Sequence, residues 1–250
     1  MKILIISDIH SNLEALKEVF FYIKFNKIEI HRCFVLGDII GYGPFPNECI
    51  DFIKNIPRCK VIAGNHEWAT SGKLSLNYFN ENAKLAIMWT KKVLTKENME
   101  YILNLPVEVN AEYNNIKYQF VHGSPLNKIE EYITNHYIAK QNFNAMKRDV
   151  CFFGHTHIPM LYLWHRNDVS SLYLEDGLTI EIKPGYKYLI NIGAVGQPRD
   201  GDPRASFGIL DTTTNRLTVR RVEYNYRVTQ RYIMNFGLPT FLASRLGWGR

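Results

Sequence analysis

The chain is 250 residues long, 46% hydrophobic and 22% charged, which suits a folded domain with a proper core and excludes a disordered or low-complexity polymer. Lys and Arg outnumber Asp and Glu by 30 to 24, a net +6 that suits an anionic substrate but more often serves solubility alone. No apolar run approaches the roughly 18 residues of a membrane span, and Cys33, Cys49, Cys59 and Cys151 lack C-x-x-C spacing, so buried thiols and a cytoplasmic location are expected.

Lys2 to Ile6 reads as a buried strand that stops at Ser7-Asp8-Ile9-His10. Leu13, Leu16, Val19, Phe20 and Ile23 then recur at helical spacing. Asp8 and His10 thus stand at the carboxyl end of a strand, just before a helix, where open α/β sheets place their ligands. An oxygen and a nitrogen donor converging there make half of a metal site. His31 to Leu36 is a second strand, running into the loop Gly37-Asp38-Ile39-Ile40-Gly41-Tyr42-Gly43-Pro44. Pro46 to Ile53 reads as a short helix, and Cys59 to Ala63 as a third strand ending in Gly64-Asn65-His66-Glu67. Three strand–loop–helix units in succession predict a parallel sheet with all three loops on one edge. Residues 74–103 read as helical, with Tyr78, Leu85, Met88, Trp89 and Val93 on one face.

Val107 to Tyr113 and Ile116 to Val121 flank Asn114-Asn115 and read as a hairpin whose second strand ends in His122-Gly123. Tyr132 to Lys147 suggests one or two helices, and Asp149 to Phe153 is a strand ending in Gly154-His155-Thr156-His157. Further strands are expected over Met160–Trp164, Ser170–Leu174, Leu178–Ile182, Tyr188–Ile192, Ala205–Leu210 and Leu217–Val222. With no linker or repeat, the whole of 1–250 reads as one domain. Its tail from about 229 to 250 is a helix pair, whose stripe of Tyr232, Ile233, Phe236, Leu238, Phe241, Leu242 and Leu246 is read as core.

Five strand ends therefore deliver Asp8, His10, Asp38, Asn65, His66, His122, His155 and His157. Of eight histidines, only His31, His136 and His165 fall outside these loops, and no ligand role is expected of them. One histidine alone is more often structural than a ligand. Here every loop follows an apolar strand and every loop supplies a metal-type donor. Seven donors sharing one carboxylate make two sites of about four ligands each, the arrangement in which two ions about 3.5–4 Å apart clamp a phosphoryl group.

The order Asp-x-His, Gly-Asp, Gly-Asn-His-Glu, His-Gly, Gly-His-Thr-His, over residues 4–157, resembles the calcineurin-like metallophosphoesterase superfamily. Gly37 to Pro44, Asn191 to Ser206 and the Gly-Leu-Pro…Arg-Leu…Gly-Arg tail resemble its small prokaryotic branch, which includes phosphodiesterases and proteins related to diadenosine tetraphosphatases. The resemblance implies a four-layer α/β/β/α sandwich of two mixed sheets flanked by helices. It implies two divalent metal ions (manganese, iron or zinc), one on Asp8, His10, Asp38 and His157, the other on Asp38, Asn65, His122 and His155. His66 would protonate the leaving oxygen, oriented by Glu67 or Asp38, while a metal-bridged hydroxide attacks phosphorus in line.

Two departures narrow the expectation. The protein Ser/Thr phosphatases of the superfamily carry Gly-Asp-x-x-Asp-Arg-Gly, and here Gly41 and Tyr42 stand in place of the Asp-Arg, which argues against protein phosphatase activity. Ile192 and Ala194 replace the proline and serine of the branch's Asn-Pro-Gly-Ser-Val-Gly-Gln. In the polar loop that follows, Arg199 or Arg204 is expected to hold a substrate phosphate, with Arg–Asp pairs that merely stiffen the loop as the equal alternative. The expected activity is hydrolysis of a phosphodiester or nucleotide small molecule. Dinucleoside polyphosphate hydrolysis, phosphomonoester hydrolysis and a catalytically silent nucleotide-binding or sensor module stand as alternatives. A repair-type nuclease is disfavoured for want of DNA-binding regions after the metal core, no membrane partner is expected, and a homo-oligomer is left open.

Overall fold

The computed structural model describes residues 1–250. In chain order, β1 (Lys2–Ile6), α1 (Leu13–Phe25), β2 (Arg32–Val35), α2 (Pro46–Lys54), β3 (Cys59–Val61) and α3 (Asn65–Thr70) make the three strand–loop–helix units. Then come α4 (Glu81–Val93), α5 (Lys96–Leu103), β4 (Glu108–Tyr113), β5 (Ile116–Val121), α6 (His136–Ala145) and β6 (Val150–Phe153). The run of strands follows as β7 (Met160–His165), β8 (Asp168–Tyr173), β9 (Thr179–Glu181), β10 (Lys187–Asn191), β11 (Ala205–Asp211) and β12 (Arg216–Val222), before α7 (Tyr226–Asn235) and α8 (Thr240–Ser244).

The strands form two six-stranded mixed sheets, ordered β3-β2-β1-β11-β12-β9 and β4-β5-β6-β10-β7-β8. Side chains alternate across a strand, and this sorts the core into layers. Ile3 and Ile5 of β1 face the second sheet with Phe34, Leu217 and Val219, meeting Phe120, Phe152 and Ile190. Phe34 and Phe120 stack across that gap with ring centres 3.9 Å apart. Leu4 and Ile6 turn the other way, onto Leu16, Val19 and Ile23 of α1 and Ile50 and Ile53 of α2. On the far side, Val121, Cys151, Phe153 and Leu189 pack under Ala139 and Phe143 of α6. The result is the expected α/β/β/α sandwich. β1, β2 and β3 run parallel, as do β5, β6 and β10, so within each sheet those polar strand ends share one edge.

The helical stretch at 74–103 departs from expectation. It is split by two N-caps, Asn80 accepting from the Ala83 amide at 3.0 Å and Thr95 from the Asn98 amide at 3.1 Å; a cap residue needs extended backbone and so ends what precedes it. Of the expected face only Trp89 packs inward, against the tail and stacked on Phe236. α4 buries Ala83, Ala86, Ile87 and Thr90, while Tyr78, Leu85 and Met88 stand in solvent. The small residues win because the tail lies against them: Ile233, Leu238, Leu242 and Leu246 pack on Ala83, Ala86 and Tyr42. In that tail Tyr232, Phe236 and Phe241 remain half exposed, so only part of the expected stripe is core. The region after Tyr132, expected to hold one or two helices, holds one, α6. Cys33, Cys49 and Cys151 are buried free thiols, and no helix is long and apolar enough to cross a membrane.

Candidate metal centre

The strand-end loops are built on strained backbone. Asp8, His10, Asp38, His155 and His157 all take positive φ between 49° and 66°, the left-handed region that side-chain-bearing residues avoid. Cross-links between loops hold them there: the His10 amide donates to Asp38 O at 2.9 Å, the Gly196 amide to Asp8 O at 2.9 Å, and the Ser11 amide to Ile39 O at 2.8 Å. Gly64 is required by close approach, since a Cβ there would stand 2.1 Å from Asp38 Oδ1.

The ring nitrogens of four histidines are assigned by their partners. His10 Nδ1 lies 3.1 Å from Ile40 O, His122 Nδ1 2.8 Å from Leu36 O, His157 Nδ1 2.5 Å from Gln197 O, and His155 Nε2 3.2 Å from Glu130 O. A carbonyl only accepts, so each of these nitrogens carries a proton, and the opposite one presents a lone pair whenever the ring is neutral. Those lone pairs face one another. His10 Nε2 is 3.1 Å from His157 Nε2, and His122 Nε2 is 3.1 Å from His155 Nδ1 and 3.0 Å from the Asn65 carbonyl oxygen.

Acceptors cannot hydrogen-bond to acceptors, and a cation between them resolves the conflict. The spacing fits, since ligands about 2.1 Å from one ion at tetrahedral or square angles stand roughly 3.0–3.4 Å apart. Asp38 Oδ2 lies 3.3 Å from His122 Nε2 and 3.6 Å from His10 Nε2, and Asp8 Oδ1 lies 3.2 Å from His157 Nε2. The donors fall into two groups, Asp8-His10-Asp38-His157 and Asp38-His122-His155, with Asp38 common to both. Asn65 joins the second through His122. This buried His/Asp cluster is suited to divalent metal.

Charge in the cluster follows the same geometry. Burial alone would raise Asp8 and Asp38, but His157 beside the first and His122 and His66 beside the second hold both carboxyls low. Burial drives His10 and His155 well below the ordinary imidazole range, keeping them neutral as ligands must be. His122 goes the other way, to about 9: burial lowers it, but the charge and hydrogen bond of Asp38, the charge of Asp8 and the Leu36 carbonyl together raise it by more. A metal ion would compete with that proton for the same nitrogen.

His66 is brought down to about 4 by burial, with Asp38 opposing and Arg199 and His122 adding to the fall. Its Nδ1 is buried without a hydrogen-bond partner. Neither expected orienter reaches the ring by a hydrogen bond. Asp38 Oδ1 accepts from the His66 amide at 2.9 Å. Both carboxylate oxygens of Glu67 accept amides instead, from Gly64 at 2.7 Å, Asp38 at 2.8 Å and Ile40 at 3.1 Å. Packing sets the ring, with Tyr42, His10 and Phe79 at ring-centre distances of 4.5, 4.8 and 5.3 Å. Glu67 is thus a backbone clamp between two donor loops, with its own carboxyl pushed up to about 7 by burial and then by Asp38. A Glu three residues into a helix, reaching back to the amide before it, is half of a capping box, a signal that the sequence carries.

The structure separates the two arginines. Arg199 lines the cleft with Asp38, Tyr42, Asn65, His66 and Tyr132, a space of at most about 370 Å³. Its amide donates to His157 O at 3.3 Å, one Nη to Gln197 Oε1 at 3.0 Å, and its Nε is buried without a partner. Arg204 instead forms ion pairs with Asp202 at 2.7 Å and Asp176 at 3.1 Å and does not line the cleft. These are the Arg–Asp pairs that the loop-stiffening alternative calls for. Arg221, which no sequence motif marks, pairs with Asp200, both side chains being only 2% exposed. It follows Leu217 and Val219 at two-residue spacing, which turns it into the same buried face. His31, His136 and His165 take other partners: the Lys2 amide, the Ser171 hydroxyl and the ring of Tyr186.

Comparison with known proteins is concordant. Residues 1–215 match the family model of the calcineurin-like phosphoesterase superfamily domain. An uncharacterised protein of Methanocaldococcus jannaschii is 41% identical over 249 residues, covering 99% of this chain and 98% of that one. Among solved structures, a metallophosphoesterase from Sphaerobacter thermophilus superposes with a TM-score of 0.86 at 40% identity, covering 100% of this chain and 99% of its own. A hypothetical protein from Pyrococcus horikoshii shares the fold at 21% identity, with a TM-score of 0.82 and coverage of 100% and 98%.

Proposed function

Because the chain belongs to the calcineurin-like phosphoesterase superfamily, we propose that it is a two-metal phosphodiesterase acting on small phosphodiester or nucleotide substrates. One ion would be held by Asp8, His10, Asp38 and His157, the other by Asp38, Asn65, His122 and His155. The observation that carries this reading is the convergence of carbonyl-locked histidine lone pairs on both sides of Asp38. Divalent ions there supply positive charge for a phosphoryl group and acidify bound water. Manganese is the first ion to try.

The chain's own residues would do the rest. Arg199, whose side chain lines the cleft, holds a phosphate oxygen through its guanidinium group. His66, packed between Tyr42 and Phe79, delivers a proton to the leaving oxygen. It is neutral until substrate arrives, and an anionic phosphoryl beside it raises its affinity for the proton it must donate. The whole chain would act as one domain, with the tail packed on the cleft wall at Tyr42. The buried free thiols support a cytoplasmic location.

The test is cleavage of bis-p-nitrophenyl phosphate against p-nitrophenyl phosphate by metal-stripped protein, before and after manganese is restored. Manganese-dependent cleavage favouring the diester is expected, and protein that binds metal yet cleaves neither would refute the reading.

A further inference from the structure

Directly behind the metal edge, two thiols stand side by side on neighbouring strands. β2 and β3 run parallel, with Cys33 paired in register to Cys59. Side chains alternate across a strand, and both thiols turn to the helix-covered face. Cys33 lies in the core under α1 and α2, and Cys59 packs against that core from the edge. Neighbouring strands stand about 4.7–4.9 Å apart, within the Cα separation of about 4.4–6.8 Å that a disulfide spans. The two thiols are within hydrogen-bonding reach, and that contact, with burial, pushes the Cys33 thiol well above the ordinary thiol range. Neither remaining cysteine is so placed: Cys49 sits on α2, and Cys151 stands opposite Leu189 and Gln119.

The pair is unequal. Cys33 is fully buried, whereas Cys59 is partly exposed, on the strand that ends its sheet. Thiol–disulfide exchange begins with a thiolate that a solute can reach, which assigns the first attack to Cys59. Location gives the pair its consequence. β2 runs into the loop of Asp38 and β3 into Gly64-Asn65-His66-Glu67, and the Glu67 carboxylate joins the two by accepting the Asp38 and Gly64 amides. Disulfides hold their Cβ atoms about 3.8 Å apart, closer by about 1 Å than the strand spacing, so the bond draws β3 towards β2. With no strand on its outer side β3 can yield, and the strain left in such a bond keeps it reducible.

We propose that Cys33 and Cys59 form a reversible disulfide by exchange with a small-molecule disulfide, tying the strand of Asp38 to the strand of Asn65. Cys59 Sγ, as its thiolate, attacks the small disulfide, forming a mixed disulfide and expelling one thiolate. Cys33 gives its proton to that thiolate, attacks Cys59 Sγ and expels the other half, which takes up the proton that Cys59 lost. Two protein thiols are thereby oxidised to one disulfide, and one small disulfide is reduced to two thiols. The site does not depend on the phosphoesterase reading.

The test incubates the folded protein with oxidised glutathione and reads intact mass, peptide linkage and amide hydrogen exchange. Wild-type protein should lose two hydrogens, yield a linked pair of peptides holding Cys33 and Cys59, and return to its starting mass with dithiothreitol. Cys33→Ala should instead carry one glutathione, on Cys59, because nothing resolves the mixed disulfide. Cys59→Ala should stay unmodified, its remaining thiols being buried. Exchange over Gly37–Ile40 and Ala63–His66 should slow in the oxidised protein and recover on reduction. Wild-type protein that does not react, or that stops at a glutathione on Cys59, overturns the proposal. So does a Cys59→Ala variant that takes up glutathione on Cys33 as fast as wild type is oxidised. A disulfide that forms while exchange in both loops stays unchanged overturns the tie to the metal edge.

Discussion

Two clusters of charge, one fully and one partly buried, are built on opposite principles in this molecule. Around Arg221, each cation meets a carboxylate: Asp200 and Asp202 answer Arg221, and Asp202 and Asp176 answer Arg204. Around Asp38, the partners do not answer one another, because acceptors of four histidines, two carboxylates and an amide oxygen are held face to face. The first cluster is complete as protein and explains itself as scaffold. The second is incomplete as protein, and what it lacks is positive charge. Burial and ionisable residues are common to both, so neither feature alone separates a scaffold from a site. The test that separates them is whether the hydrogen-bonding and charge accounts close within the chain.

Substitutions should sharpen that contrast. Asp38→Asn should have the largest effect, removing turnover altogether and lowering the metal content of purified protein at both groupings, as read by elemental analysis. A variant that keeps full metal content and full turnover would break the shared-carboxylate reading. Next, Arg221→Met strands Asp200 in the interior and should cost about 3–5 kcal/mol in chemical denaturation, while replacing both partners by apolar residues recovers most of it. The metal content of the Arg221 variant should not change. Chelation should act on the other cluster alone: an ion present at a hundred times its Kd contributes about 2.7 kcal/mol, so metal removal should lower Tm by roughly 5–10 °C in a chain this size.

Glu67→Gln should lower metal affinity about 10–100-fold, the usual effect of disturbing a ligand's support, since one amide oxygen cannot serve three backbone donors as the carboxylate does. Unchanged affinity in a metal titration would mean that the loops hold their shape without it. Smallest of all, Arg204→Gln should cost under about 1 kcal/mol, because its ion pairs are roughly a third exposed and screened by water.

Most of the metal edge is legible in the sequence because each donor follows an apolar strand whose end can be read directly. Period-two patterns mark the strands, and the parallel strand–loop–helix units alone require three of the loops to share one edge. What escapes such reading is set by packing between distant elements. Leu85 and Met88 of α4 point away from the core because Ala83 and Ala86, weak signals in isolation, let the tail approach closely. Nothing local separates Arg199 from Arg204, five residues apart in one polar loop. Arg204 is captured by Asp176, from a segment 28 residues away. Glu67 and Arg221 are different, since a capping position marks the first and a strand period the second.

β1 is an interior strand, paired on one side with β2 and on the other with β11, where Lys2 stands opposite Asp211. A ribosome therefore makes the first residues of the metal edge long before it makes their neighbour, and Asp8 must wait for His155 and for the Val195 and Gly196 amides that fix its loop. Such long-range closure belongs to slow-folding topologies. Until the chain has emerged past Gly196, its donors are separate ligands on an open polymer, so a transition metal met early binds them in the wrong combinations. Refolding without metal, followed by metal addition, should then recover more native protein than refolding with metal present throughout.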